Sequence, residues 1–248
     1  MYWFLNFFKL TFLSLCLTSL FSCNFSIENN KNIKNKINAF TFLKQQVVVE
    51  VFDSKFITDI SSASGSCISS NNLKKPLILT VAHFCEEEKI TNIQLKKLFD
   101  DLPIDEKEII TSTRFQAMLF DGSIYNLKVL KMDKKEDICL MEILNGECKN
   151  KIKIANNYPE KYSKISAWSA PLAIFSPHNV LIFDGRYIGI DDDNDMLFTL
   201  ASTYGSSGSP IVNDKLELIS MIKLSVSEFK QISVGANLNS VKNFINNK

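Results

Sequence analysis

Short runs rich in β-branched and aromatic residues recur along most of this chain, and clusters of Gly, Asn, Asp and Pro separate them. Such runs predict strands joined by turns. A first set covers Gln46–Phe52, Gly65–Ser69, Leu77–Val81, Phe115–Phe120, Ile124–Lys131 and Ile138–Ile143. A second set covers Lys164–Trp168, Val180–Ile190, Met196–Ala201, Ile211–Val212, Leu218–Leu224 and Ser233–Leu238. Each set holds about six strands. Two segments depart from this pattern. Glu86–Asp100 carries helix-forming residues and reads as an inserted loop or helix. Asn239–Asn246 places Val241, Phe244 and Ile245 at helical spacing, which predicts a closing helix.

The N-terminus has a different character. Residues 1–22 are almost wholly apolar with Lys9 as their only charge, and the composition turns polar at Cys23-Asn24. Twenty apolar residues could span a bilayer. Ser22 directly before Cys23, with Leu20 two residues earlier, instead resembles the processing site of bacterial lipoproteins. The expectation is a signal peptide over 1–22, a lipidated Cys23, a flexible Asn/Lys-rich tether over 23–41 and a folded domain over 42–248. That makes the protein an exported, membrane-anchored lipoprotein of a bacterial cell envelope. An uncleaved anchor and ordinary secretion are the other readings.

Composition removes several function classes. A formal net charge of +1 over 248 residues gives no electrostatic case for nucleic acid. The chain has only two histidines, His83 and His178, far apart and without a close cysteine pair, so neither zinc nor another metal or cofactor is expected. Asp191-Asp192-Asp193-Asn194-Asp195 has the look of a calcium loop. Met196 and Ser202 stand where an EF-hand needs Gly and Glu, so a hairpin tip is the better reading. Glu86-Glu87-Glu88 reads as a solvated patch, and His178 in Ser176-Pro177-His178-Asn179 as a turn residue.

Candidate chemistry centres on Tyr204-Gly205-Ser206-Ser207-Gly208-Ser209-Pro210. A glycine-bearing turn can aim the Gly205 and Ser207 amides at one point beside the Ser207 hydroxyl, which suits a developing oxyanion. A serine nucleophile needs a base, and that base needs an orienting carboxylate. His83 ends the apolar run Leu79-Thr80-Val81-Ala82-His83. Asp137 opens the apolar run Asp137-Ile138-Cys139-Leu140, whereas Asp133 and Glu136 sit in a lysine-rich turn and read as solvated. The order His83, Asp137, Ser207, with no histidine after the serine, excludes the α/β-hydrolase arrangement.

These three fragments resemble the His, Asp and Ser motifs of trypsin-like serine peptidases. The resemblance implies an all-β fold of two packed six-stranded antiparallel barrels with a short C-terminal helix, the first over about 42–147 and the second over about 148–240. It implies His83 and Asp137 on the first barrel, Ser207 on the second, and a protein or peptide substrate hydrolysed through an acyl-enzyme. Gly-x-Ser-Gly-Ser-Pro is closest in style to the bacterial V8-like and glutamyl-endopeptidase group. Trypsins carry aspartate just before the nucleophile and pair it with a newly cut N-terminus. Ser206 stands there in this chain, so no activating cut is expected. Ala201 occupies the position of the trypsin pocket aspartate, which removes the case for Lys or Arg specificity. Lys223 could line the pocket and favour an acidic side chain. Cys67–Cys85 resembles the family's histidine-loop bridge, and Cys139–Cys148 could close a hairpin. The competing reading is a catalytically silent surface lipoprotein that uses the same scaffold to bind a partner.

Overall fold

The computed structural model describes residues 36–51, 54–69, 76–86 and 109–246. The 1–22 leader, Cys23, residues 23–35 of the tether, Phe52, and residues 87–100 of the expected insertion, with Glu87 and Glu88, lie outside the described residues. The first barrel is built from β1 (Phe40–Val51), β2 (Ser54–Ser69), β3 (Leu77–Thr80), β4 (Ile109–Leu119), β5 (Ile124–Asp133) and β6 (Ile138–Ile143), with the one-turn helix α1 (Ala82–Cys85) after β3. The second uses β8 (Lys164–Ser169), β9 (Leu181–Ile190), β10 (Met196–Phe198), β11 (Pro210–Val212), β12 (Leu218–Ser225) and β13 (Ser233–Gly235), and α2 (Leu238–Asn246) follows it. This is the expected all-β architecture of two six-stranded antiparallel barrels with a C-terminal helix.

Strand order in the first barrel is β1-β4-β5-β6-β3-β2, closed by β1 pairing with β2. The short β7 (Ile152–Lys153) adds to β2 in parallel. The second barrel closes in the order β10-β13-β12-β11-β8-β9. Closure leaves no exposed sheet edge around either ring and encloses a side-chain core. Phe40, Leu43, Ile68, Ile78, Leu79, Ile138 and Met141 are fully buried on strands of the first barrel. Ile165, Tyr187, Met196, Phe198, Leu200, Ile219 and Ile222 pack together inside the second.

Several strands exceed their apolar runs. β2 begins at Ser54 instead of Gly65 because its pairing, not its side chains, sets its length. Ser61, Ser62, Ser64 and Ser66 give it a weak strand signature, yet Phe42 pairs with Ser64 and Lys44 with Ser62. β4 likewise extends back to Ile109, opposite Val51. β10 and β13 are shorter than expected: β10 stops at Phe198, and Leu238 opens α2 instead of ending a strand.

The two barrels fall within one compact unit, and local contacts join them. His178 lies on a turn, as expected, with φ of +66°. Its N–H donates to Phe120 O at 2.8 Å, and its ring meets the Phe120 ring edge-on at 5.6 Å. Lys131 of β5 reaches α2, donating to Phe244 O at 2.8 Å with its ammonium 4.5 Å above the Phe244 ring.

Candidate active site

α1 packs Ala82, Phe84 and Cys85 into the core and leaves His83 outward, with 49% of its side chain exposed. One helical turn after β3 is enough to do this, because its other residues are apolar or small. Asp137 closes the β5–β6 turn with φ of +55°, a left-handed conformation that Asp tolerates better than most residues. Asp133 shapes that turn: its Oδ1 accepts the N–H groups of Lys135 and Glu136 at 3.0 and 3.1 Å. Asp133 is therefore a structural cap, a role that its lysine-rich surroundings conceal.

Asp137 grips His83 at two points. Its Oδ1 accepts the His83 backbone N–H at 2.9 Å, and its Oδ2 lies 2.9 Å from His83 Nδ1. The carboxylate is largely buried, at 16% side-chain exposure. An ionised carboxylate only accepts, so Nδ1 carries the hydrogen and Nε2 presents a lone pair. An imidazole held this way can take a proton from a hydroxyl brought to it.

The disulfides differ from both expected pairings. Cys67 bonds to Cys148 and Cys85 to Cys139, so Cys67–Cys85 and Cys139–Cys148 do not form. Sheet order gives the reason. β3 lies between β2, which carries Cys67, and β6, which carries Cys139, and Thr80 pairs with Cys139. Cys85, just past β3, is thus brought to the β6 side. From Cys139, β6 runs away to Ile143, about 13 Å at strand rise, so the chain reaches Cys148 at the far end, beside β2 and β7. Each cysteine of the Cys85–Cys139 bridge stands two residues beyond a partner of the His83–Asp137 pair. With a sequence separation of 54, chain entropy alone makes that staple worth about 4 kcal/mol.

The serine-bearing loop from Thr199 to Ser209 is anchored to the first barrel through its backbone. Ser64 N–H donates to Ser207 O at 2.8 Å, and Ser64 Oγ donates to Gly205 O at 2.9 Å. Ser64 Oγ also accepts Ala170 N–H at 3.1 Å, and Thr80 Oγ1 donates to Ser64 O at 2.8 Å. Thr80 is three residues before His83, so buried hydroxyls connect the serine loop to the histidine strand. Nothing in the serine-rich run of β2 marks Ser64 for this position. Gly208 makes the close approach possible: at φ of +79°, a Cβ there would lie 2.1 Å from Ser64 O and 2.3 Å from Thr80 Oγ1.

Amide hydrogen bonds in this loop follow a useful pattern. Ser206 N–H donates to Thr203 O, Gly208 N–H to Ile222 O and Ser209 N–H to Ser206 O. The amides of Gly205 and Ser207 have no protein acceptor among the described residues. Two such donors, on either side of one residue, can receive an oxyanion. Gly205 must be glycine, since at φ of +85° a Cβ would meet Ala170 O at 2.6 Å. Ser206 is buried, and its Oγ accepts Thr203 N–H at 3.2 Å, a local cap in place of an ion pair.

Lys223 takes a partner within the protein, and the Asp191–Asp195 run forms the expected hairpin tip. Lys223 is nearly buried and its ammonium is held by both carboxylate oxygens of Asp195 at 2.8 Å each. Strand register turns it inward, so it does not present a charge to a substrate. Asp191–Asp195 forms the β9–β10 hairpin tip, where Asp191 Oδ1 accepts the N–H groups of Asp193 and Asp195. Ala201 is exposed.

A family model described as a trypsin-like peptidase domain matches residues 63–221, more than half of the chain. No curated protein gives a significant match.

Proposed function

The chain belongs to the trypsin-like peptidase domain family, and from that premise we propose that it is a serine endopeptidase with Ser207, His83 and Asp137 as its catalytic unit. Ser207 Oγ attacks the peptide carbonyl while His83 Nε2 takes its proton. The negative charge that develops on the carbonyl oxygen is received by the Gly205 and Ser207 amides. His83 then returns the proton to the departing amine, leaving an acyl-enzyme that water hydrolyses by the same route in reverse. Asp137 stays ionised, fixes the imidazole tautomer and stabilises the imidazolium. The observation that carries this reading is the two-point hold of Asp137 on His83. Incubation with a mixed peptide library should yield new termini, and an activated ester should give a burst of acyl-enzyme in rapid-quench kinetics. Intact peptides and no covalent species would favour the silent binding scaffold.

Two finer features belong to the same proposal. The Thr203–Ser206 hydrogen bond supports a loop that is competent without a new N-terminus, and Gly-x-Ser-Gly-Ser-Pro supports kinship with the V8-like group. Lys223 gives no support to an acidic-side-chain preference, because Asp195 already neutralises it. Export rests on the apolar 1–22 segment and Cys23. A fatty-acid analogue fed to expressing bacteria should label the wild-type protein, and label retained by Cys23→Ser would refute the lipid anchor.

A further inference from the structure

Four successive carbonyls of the serine loop each hold a donor. Tyr204 O accepts Leu172 N–H at 2.6 Å, and Gly205 O accepts the Ser64 hydroxyl at 2.9 Å. Ser206 O accepts Ser209 N–H at 3.0 Å, and Ser207 O accepts Ser64 N–H at 2.8 Å. A trans peptide is planar with its N–H opposite its C=O, so each held carbonyl sets the direction of the next amide. The Tyr204 and Ser206 carbonyls thereby aim the Gly205 and Ser207 amides, the two with no protein acceptor among the described residues. The peptide plane between those two amides runs from Gly205 O to Ser206 N. Ser64 Oγ fixes it at one end and Thr203 O at the other.

Sheet geometry places Ser64 there. β3 pairs with β2 only at Ser66, Cys67 and Ile68 and then turns away into α1, so the edge of β2 at Ser64 receives the serine loop instead. Ser64 is fully buried, and its hydroxyl must find its partners within the protein. It has two. Ala170 N–H can only donate, so Ser64 Oγ accepts it at 3.1 Å, and the single hydroxyl proton goes to Gly205 O. Ala170 leads into the turn Pro171–Ala173. Pro171 has a fixed φ, which leaves little play between Ala170 and the Leu172 N–H that holds Tyr204 O. Leu172 and Ala173 have φ of +53° and +58°. Such a conformation is unfavourable for residues with a Cβ and persists only where neighbours enforce it. One first-barrel hydroxyl therefore bears on both sides of Gly205, directly on the plane after it and through Ala170 on the plane before it. Gly205 itself, with no Cβ and φ of +85°, offers little resistance to rotation.

We propose that Ser64 is a positioning residue for the oxyanion site: its hydroxyl holds the Gly205 amide on the point where the substrate carbonyl oxygen develops charge. The proposal rests on the serine-peptidase reading above. Without the hydroxyl, Gly205 O and Ala170 N–H lose their partner together, and the peptides on either side of Gly205 are free to turn. The nucleophile and its base keep their own contacts. Ser64 N–H still holds Ser207 O, and Asp137 still holds His83. The loss therefore falls on transition-state charge and not on proton transfer or substrate binding.

The test uses the full folded domain. Ser64→Ala should lower kcat and kcat/KM together by about 10²-fold, the mark of an interaction made only in the transition state. Sulfur is a poor acceptor, so a matched ester and thionoester report on the oxyanion donors directly. The wild type should prefer the ester, and that oxygen-to-sulfur ratio should fall about tenfold or more in Ser64→Ala. Ser64→Cys nearly conserves volume and supplies only a weak donor. It should show the same fall, and it serves if the alanine cavity prevents folding. Each ratio is taken within one protein, so a loss of folded enzyme cancels, and thermal melts confirm folding. A wild-type ratio in these variants, or a loss expressed in KM alone, would overturn the positioning role. Fluorophosphonate labelling of Ser207 separates the two readings. A wild type that labels, with variants that keep its ratio, refutes the positioning role alone. A wild type that neither labels nor cleaves refutes the peptidase reading and the positioning role with it.

Discussion

Ser207→Ala should lower kcat for peptide hydrolysis about 10⁶-fold while leaving the melting temperature close to wild type. The expected size comes from the division of labour in the loop. The serine hydroxyl is the only atom lost. The backbone that organises the loop stays, because Ser64 binds Ser207 through its carbonyl oxygen and Gly205 through another. The two amides that receive the oxyanion also remain, so residual catalysis of about 10³–10⁴ over water should persist from positioning and oxyanion binding alone. Steady-state hydrolysis of a quenched peptide, alongside a thermal melt, checks both halves. A variant that loses stability as much as activity would indicate that Ser207 is part of the framework.

Asp137→Asn should cost about 10⁴-fold in kcat, and the geometry shows why one atom matters so much. The two carboxylate oxygens serve different donors, the His83 backbone N–H and the ring Nδ1. The backbone N–H can only donate, so it will claim the single amide oxygen of an asparagine. That leaves the asparagine NH₂ facing Nδ1, which must then accept, moving the ring proton to Nε2. An imidazole in that tautomer has no lone pair for the serine proton. Asparagine tolerates the left-handed backbone of position 137 as well as aspartate does, so the variant should keep its fold. Kinetics with a quenched peptide measure the loss. A fall of less than about tenfold would mean that Asp137 does not set the tautomer.

Much of the architecture was legible in the chain, because a barrel core imposes a regular apolar signature on its strands. β5, β6, β8 and β12 match their hydrophobic runs to within a residue or two. Only the Gly65–Ser69 end of β2 announced itself, since the serine-rich stretch paired along β1 carries little apolar pattern. The disulfides failed for a related reason. The family resemblance suggested Cys67 with Cys85, but Cys67 pairs beside Ile78 near the start of β3, whereas Cys85 lies past the other end of that strand, on the β6 side. Spatial order in a closed sheet is not sequence order. The candidate site shows the same limit. His83, Asp137 and Ser207 stand in recognisable local strings, whereas Ser64, Thr80 and Asp133, which position those strings, are ordinary residues whose roles exist only once the barrels close. Lys223 looked available to a substrate until its register placed it against Asp195.

Peptide hydrolysis by this chain requires Ser207 to be an activated nucleophile. The most direct measurement is peptide mapping by mass spectrometry after reaction with a fluorophosphonate probe. A single phosphonyl adduct on Ser207 is predicted, absent from Ser207→Ala and formed far more slowly in Asp137→Asn. Equal labelling of wild type and Ser207→Ala, or an adduct on any other serine, would contradict it.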